Sequence, residues 1–403
     1  VVAAGSKVVN RTEAEAGAGG APDLTEIAHA AHASGRIALD TEFMGEGRYR
    51  TLLCLIQLAV PDGAAGERIE LVDPLDETLD AAPLAEVLAD PNVQVVVHAG
   101  RQDVALVRRR FQTDVQNVFD TQVAAGFAGL AAQASYDTLL GELLGVRVAK
   151  SASFTRWDAR PLSPEQREYA REDVVHLLEL AGALERRLTE IGRLEWAREE
   201  CGPLCESSDE RDLDTVFARL PRVRGLSPSA QTIARELVRW REDVAAAQDQ
   251  PVQRVLADAA LVEIAKRKPT SQAKLEQIRG VNPGSLRRRG GDLLDAVRRG
   301  SELPPRDPAP NERPPAPEPD DAPLVALAEA LVRARAREAG LAYELLAARA
   351  DLHAIVAARR TDDEADVRTL RGWRRELVGD ELLALLDGRV SLSVQEGRLR
   401  ISP

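Results

Sequence analysis

Two carboxylates, Asp40 and Glu42, interrupt an apolar run that reads Ala38-Leu39-Asp40-Thr41-Glu42-Phe43-Met44. Side chains two positions apart on a strand share a face, so these like charges repel at short range unless something compensates. A divalent cation is the simplest compensation, and further acids are expected to help hold it. Asp103 follows the β-branched run Val93–Val97 and the turn His98-Ala99-Gly100. It sits at the start of the next helix, at the carboxyl end of a strand, where α/β sheets collect ligands. A helix-N-terminal acid that only complements the dipole is the plainer alternative. Tyr169 and Asp173 lie four apart in Ser163–Leu178 and share a helix face. They could equally form a structural hydrogen bond. Together the four acids have a chemical logic. Two divalent ions about 3.5–4 Å apart can activate a water and stabilise the leaving oxygen in phosphodiester cleavage. Hard ions such as Mg²⁺ or Mn²⁺ want oxygen ligands. Asp40 would bridge both ions, Glu42 and Asp173 would serve one, and Asp103 would complete the second shell or the second site. The Tyr169 hydroxyl would orient the attacking water.

Weaker candidates surround this set. Phe43 could stack on a terminal base or belong to the core, and His98 could position substrate or close a strand end. Lys150, Arg156, Trp157 and Arg160 precede the Tyr169 helix, as cations beside an aromatic that could grip phosphate and stack a base. Loop packing is the alternative. Lys266, Arg267, Lys268, Arg287, Arg288 and Arg289 are candidate contacts to a nucleic-acid backbone. Trp240 and Trp373 read as core anchors.

The elements that must position these residues are legible in outline. A short helix is expected around Leu24–Ala31, then strands over Arg36–Phe43, Leu52–Val60 and Arg68–Val72, with short loops that favour antiparallel pairing. Helix, strand, helix and strand follow at Pro83–Ala89, Val93–Val97, Asp103–Arg110 and Val115–Phe119, an alternation that implies parallel pairing. Beyond Asp120 the chain reads as helix to Glu200. Ser163, Pro164 and Gln166 form a helix start with a capping box. The Ala/Gly-rich residues 1–21 are expected to be disordered, residues 22–206 to form the first domain, and 207–300 a helical module. The Pro-rich stretch 301–323 is expected to be a stiff linker that keeps the last block at a distance. Residues 324–403 look like a duplicate of the module before the linker: "RVLADAALVEIAKRKP" (Arg254–Pro269) aligns with "ELLAARADLHAIVAARR" (Glu344–Arg360).

Net charge is −12 over 403 residues, which argues against a nucleic-acid binder if read globally. Locally it does not: Thr215–Gly300 carries 17 Lys+Arg against 9 Asp+Glu, or +8, and the remainder carries −20. Such asymmetry fits a basic module attached to an acidic enzyme. No apolar run is long enough to span a membrane. Cys54, Cys201 and Cys205 are sparse and odd in number, with no His pair beside them to complete a zinc site, which fits a reducing compartment. No leader pattern is visible, so a cytoplasmic monomer is expected, although the opening Val1 leaves room for missing upstream residues.

The motifs Asp40-Thr41-Glu42, His98-x₄-Asp103 and Tyr169-x₃-Asp173 resemble the three exonuclease motifs of the DEDD superfamily, tyrosine subtype. The text around them ("DTEF", "CLIQLA", "HAGRQD", "FDTQ", "KSASFTRWDARPLSPEQREYAREDV") resembles the ribonuclease D family. Ser227–Arg299 resembles its HRDC (helicase and RNase D C-terminal) domain. The resemblance implies an α/β ribonuclease H-like exonuclease domain, a mixed sheet with helices, followed by two all-α HRDC-type domains. It implies a 3′-5′ exoribonuclease that trims tRNA precursors and other structured RNAs with two divalent cations. Asp40, Glu42, Asp103 and Asp173 match the metal ligands, and Tyr169 matches the water-orienting tyrosine. The loop Gly45–Thr51 is rich in Gly and Arg rather than aromatics, so terminal-nucleotide recognition is expected to differ in detail. A DNA exonuclease of the Werner type and a non-catalytic RNA-binding scaffold are the competing readings.

Overall fold

A computed structural model describes residues 24–63, 66–147, 156–281, 283–305, 318–360 and 363–402. Lys150 and residues 1–21 lie outside these. The described residues fall into two compact units.

The first unit takes residues 24–42, 54–208 and 318–402. Helix α1 (Thr25–Ser34) precedes strands β1 (Arg36–Met44), β2 (Leu52–Pro61) and β3 (Glu67–Val72), then helix α2 (Ala82–Ala89). Strand β4 (Gln94–Val97), helix α3 (Arg101–Phe111) and strand β5 (Val118–Asp120) follow. The sheet order is β3-β2-β1-β4-β5, with β2 and β3 antiparallel and β1–β4 and β4–β5 parallel. This is the expected mixed sheet. It puts β1 at the centre, and Leu53–Val60 of β2 are buried throughout, as a central strand requires. Helices α4 (Thr121–Phe127), α5 (Tyr136–Leu139), α6 (Pro164–Glu172), α7 (Leu177–Glu190) and α8 (Leu194–Cys201) complete the nuclease part. The capping box of α6 is formed: Ser163 Oγ accepts from Gln166 N at 3.2 Å, and Ser163 N donates to Gln166 Oε1 at 2.9 Å. The Tyr169–Leu178 stretch is not one helix. It breaks at Asp173, the C-cap of α6, and resumes at Leu177.

The second unit takes Phe43–Leu53 together with residues 209–305. It contains α9 (Leu213–Ala218), α10 (Pro228–Ala247), α11 (Val252–Val255), α12 (Asp258–Arg267), α13 (Gln272–Glu276) and α14 (Pro283–Glu302). Ile233, Leu237, Leu261, Ile264 and Ala296 are all fully buried in its core, with Trp240 at the margin. Helices α10 and α14 approach closely at Gly300, where a Cβ would lie 2.7 Å from Ile233 Cα. Arg241 is 1% exposed, and its Nη1 donates to Leu256 O at 3.1 Å and to Asp258 Oδ1 at 2.5 Å.

The last block, in the first unit, is α15 (Asp321–Ala339), α16 (Tyr343–Leu346), α17 (Arg349–Arg360), α18 (Gly372–Arg374) and α19 (Asp380–Leu386). Three expectations need correction here. The Pro-rich stretch is shorter than 301–323, because α14 runs to Glu302 and α15 starts at Asp321; residues 306–317 lie outside the described set. The block is not held away from the nuclease. Trp373 stacks on Trp196 at 5.4 Å, meets Phe127 edge-on at 5.0 Å, and lies in one continuous core with Phe119 and Leu184. Arg374 reaches Glu200 at 2.6 Å. The block is not all-α either: strands β6 (Ser391–Gln395) and β7 (Arg398–Ser402) pair as a hairpin. Glu396 and Gly397 both have positive φ, which a tight two-residue hairpin turn requires.

Candidate active site

β1 carries Asp40 and Glu42, half-buried, past the end of its registered pairing with β4 at Ala38. Thr41 between them is buried and donates its hydroxyl to Asp103 Oδ1. Asp103 is 6% exposed in the first turn of α3. The turn before it, His98-Ala99-Gly100, is braced from β5. Asp120 accepts the N–H groups of Ala99 at 3.0 Å and Gly100 at 2.9 Å. The same carboxylate caps α4 through Gln122 N at 2.8 Å and Val123 N at 3.4 Å. Ala99 holds a positive φ, and a Cβ on Gly100 would strike Val97, so this turn has little freedom. From the other side, α6 delivers Tyr169 and Asp173 one turn apart, with Asp173 N donating to Tyr169 O at 3.3 Å.

Asp40 and Glu42 both feel the charges of Asp103 and Asp173. Burial raises Asp40 well above the usual carboxylate range, and the charges of Asp103, Asp173 and Glu42 push it further. Burial, then Asp173 and Asp103, lifts Glu42 to about 8. Asp173 rises to about 7 through burial, Glu172 and Asp137, and Asp103 to about 6, mainly through burial. Burial and the neighbouring carboxylates Asp173, Glu42 and Asp40 raise Tyr169 above its ordinary value, so it stays a neutral hydroxyl at physiological pH. An all-oxygen carboxylate set that destabilises its own charge suits a hard divalent ion. Among the described residues no three His, Cys, Asp or Glu side chains stand close enough together to hold an ion as they are. The carboxylates approach one another without forming a closed cage.

The weaker candidates divide. Phe43 is 40% exposed, free to meet a base. Trp157 is 3% exposed and packs its ring 6.0 Å from Tyr169, so it supports the tyrosine from the core. Arg160 is a loop anchor: it binds Asp73 Oδ1 at 2.7 Å and the carbonyls of Cys54, Trp157 and Ala159 at 2.6, 2.8 and 2.8 Å. His98 contacts Thr121 Oγ1 at 2.9 Å and the Tyr136 ring at 5.7 Å, and burial lowers its pKa. In the second unit, Arg287 and Arg288 are exposed, Arg289 binds Gln248, Arg267 pairs with Glu263, Lys268 reaches Ser229, and Lys266 is exposed. Sequence reading assigned no role to Thr41, Asp120 or Tyr136. Tyr136 is raised by burial and by the nearby charges of Asp173, Glu67 and Asp40, which places it beside the site.

Residues 21–189 match the family model described as 3′-5′ exonuclease, and residues 230–297 match the HRDC domain. The ribonuclease D of Granulibacter bethesdensis is 38% identical over 369 residues, 91% of each chain. That of Gluconacetobacter diazotrophicus is 37% identical over 387 residues, covering 94% of this chain and 95% of the relative. The crystal structure of Escherichia coli RNase D, described as an exoribonuclease involved in structured RNA processing, superposes with a TM-score of 0.78 at 28% identity. It covers 91% of this chain and 96% of the other.

Proposed function

Since the chain belongs to the ribonuclease D family and is a 3′-5′ exoribonuclease, we propose that its four site carboxylates hold two divalent cations, Mg²⁺ or Mn²⁺. The family uses divalent metal ions; their number and kind here are this proposal. Asp40, Glu42, Asp103 and Asp173 are the ligands, drawn from β1, the first turn of α3 and the C-cap of α6. Bound cations would supply charge stabilisation on the scissile phosphate and lower the pKa of a water. The chain's own residues do the rest. Thr41 and Asp120 fix Asp103 and the turn before it, Trp157 holds the Tyr169 ring, and the neutral Tyr169 hydroxyl orients the attacking water in line with the 3′-terminal phosphodiester. The products are nucleoside 5′-monophosphates. The observation that carries this reading is the set of four carboxylates whose pKa values are all raised by burial, with the charges of Asp103 and Asp173 raising Asp40 and Glu42 further.

The substrates proposed are 3′ ends of tRNA precursors and other structured RNAs, with the HRDC unit as the RNA-holding arm and the enzyme acting as a cytoplasmic monomer. Free thiols at Cys54, Cys201 and Cys205 agree with that compartment, and no helix among the described residues is long and apolar enough to cross a membrane. The last block is proposed as a second, divergent HRDC-type domain. Its support is the recurrence of a long helix, a four-residue helix and a third helix in both α10–α12 and α15–α17. Matched 5′-labelled RNA and DNA oligonucleotides incubated with Mg²⁺, Mn²⁺ or chelator test the reading. A ladder that shortens from the 3′ end with RNA and metal is expected. Equal degradation of DNA, or shortening in chelator, would sink it.

A further inference from the structure

Five residues separate Glu42 from Arg48, and the Gly/Arg-rich loop they lead into is gripped by the C-terminal end of α10. Arg48 Nη1 lies 2.6 Å from Asp249 Oδ2, and Tyr49 N donates to Asp249 Oδ1 at 3.1 Å. One carboxylate thus takes both a side chain and a backbone group of the loop. Asp249 adopts a positive φ of 42° just past the helix cap Gln248, the left-handed conformation in which helices commonly end, with Gln250 N donating back to Ala245 O. Tyr49 packs against the core of this unit and hydrogen-bonds Glu242. Glu242 is 3% exposed and is paired with Arg211 Nε at 2.7 Å, and Arg211 in turn stands 5.9 Å from the Tyr49 ring. The loop itself brings little order. Gly47 has a φ of 76° with open space around it, and Gly45, Glu46 and Gly47 are exposed. The loop is therefore held by a receptor built into the helical unit: the buried acid Glu242, Asp249 at the helix end and Arg211 beside the Tyr49 ring.

We propose that Asp249, Glu242 and Tyr49 are positioning residues for the nuclease reaction: they clamp the loop that continues β1 and so fix the direction of Glu42 and Phe43. The HRDC unit then contributes to turnover as well as to RNA affinity. This rests on the reading of Glu42 as a metal ligand. A strand end left loose beyond Glu42 would present that carboxylate in several directions, weakening its grip on a cation while leaving RNA capture by the basic surface intact.

The test uses the full chain with Asp249→Ala and Asp249→Asn. Rates on a saturating single-stranded RNA are measured against Mn²⁺ concentration, RNA Kd is measured in chelator, and tryptic cleavage after Arg48 and Arg50 is followed without RNA or metal. For Asp249→Ala we expect the half-saturating Mn²⁺ concentration to rise about tenfold, the factor commanded by one lost charge-assisted hydrogen bond. Tryptic cutting in the loop should rise by about as much, with Kd in chelator unchanged. Asp249→Asn, which keeps an acceptor for Tyr49 N, should fall between. Faster tryptic cutting with unchanged Mn²⁺ dependence would overturn the positioning role, and unchanged cutting would overturn the clamp itself. A wild-type protein without metal-dependent shortening of RNA would instead refute the nuclease reading and the positioning role with it, and trypsin would still report on the clamp.

Discussion

Glu42 at about 8 and Asp173 at about 7 bind protons more tightly in the folded protein than in the unfolded chain, where carboxylates titrate near 4. These two groups therefore cost the metal-free protein nothing at low pH, and their contribution to folding stability grows more unfavourable as pH climbs from about 4 to about 8. Divalent cations should remove most of that slope. Asp40 sits amid the repulsion from Asp103, Asp173 and Glu42. Asp40→Asn is expected to raise the metal-free Tm at pH 8 by a few degrees, roughly what 1 kcal/mol does in a unit of this size. Exonuclease turnover should fall by about a thousandfold or more if Asp40 is the metal ligand proposed. Thermal melts in chelator between pH 5 and 8, read beside turnover, check both; near-normal cleavage by this variant would end the two-metal proposal. Tyr169→Phe should lower kcat by about tenfold to a hundredfold with little change in KM, because the hydroxyl acts on water rather than on RNA binding. Its ring still packs on Trp157, so Tm should hold. Wild-type kcat would return the residue to a packing role. Asp40 and Glu42 stand out as candidates from type and spacing because two acids on one strand face have no cheap structural excuse, whereas Asp103, Tyr169 and Asp173 gain weight as candidates only beside them. Thr41 and Asp120 do not stand out, because their roles exist only once β1, α3 and β5 are side by side.

Asp120 shows how the elements hold the site. Its two oxygens satisfy N–H groups at the β4–α3 turn and at the start of α4, so one side chain ties two helix entries to the end of β5. Asp120→Ala would leave those donors in a buried place without partners, at a cost of about 2–4 kcal/mol from a lost cap and unsatisfied amides together. Urea unfolding measures it, and a loss under about 1 kcal/mol would mean that water replaces the carboxylate. Asp120→Asn, with one acceptor oxygen, should lie between and slow turnover by loosening the turn that presents Asp103. At this scale the sequence was informative wherever local chemistry decides. The apolar run Leu52–Val60 became β2 and the β-branched run Val93–Val97 became β4, and Ser163, Pro164 and Gln166 started α6 as a capping box should. The break at Asp173 was not visible, since Val174, Leu177 and Leu178 continue a helical spacing across it. The β6–β7 hairpin is hard to see in the sequence although Glu396-Gly397 sits between alternating residues, because it directly follows a block of helical pattern.

At the scale of the whole chain, the packing of Trp373 against Trp196 and Phe127 changes which experiments are meaningful. Cutting after Glu206, the obvious way to isolate a nuclease, would strip the final block from its core and expose that apolar surface; it would also remove Asp249. Loss of activity in such a fragment would say nothing about RNA binding. The proline-rich stretch suggested a block held at arm's length, yet its composition governs only the connection and not where the flanking helices dock. The basic unit is better tested by charge. Thr215–Gly300 carries +8 within a chain of −12, and Arg287 and Arg288 are exposed on α14 while Arg289 is engaged with Gln248. If the two exposed arginines contact phosphates, each contributes about 0.7 to the salt slope of single-strand binding, so Arg287→Gln with Arg288→Gln should flatten it by about 1.4. Affinity at low salt should drop, and the drop should shrink as salt rises, because the contacts removed are those that release counterions. The rate on a short single strand at saturation should not change, since the carboxylates and Tyr169 are untouched. Kd for a single-stranded RNA at several salt concentrations, compared with saturated turnover, separates the two contributions. An unchanged slope would mean that these arginines face solvent only, and the positive charge of the unit would have to act through Lys266 and Lys268 or not on RNA at all.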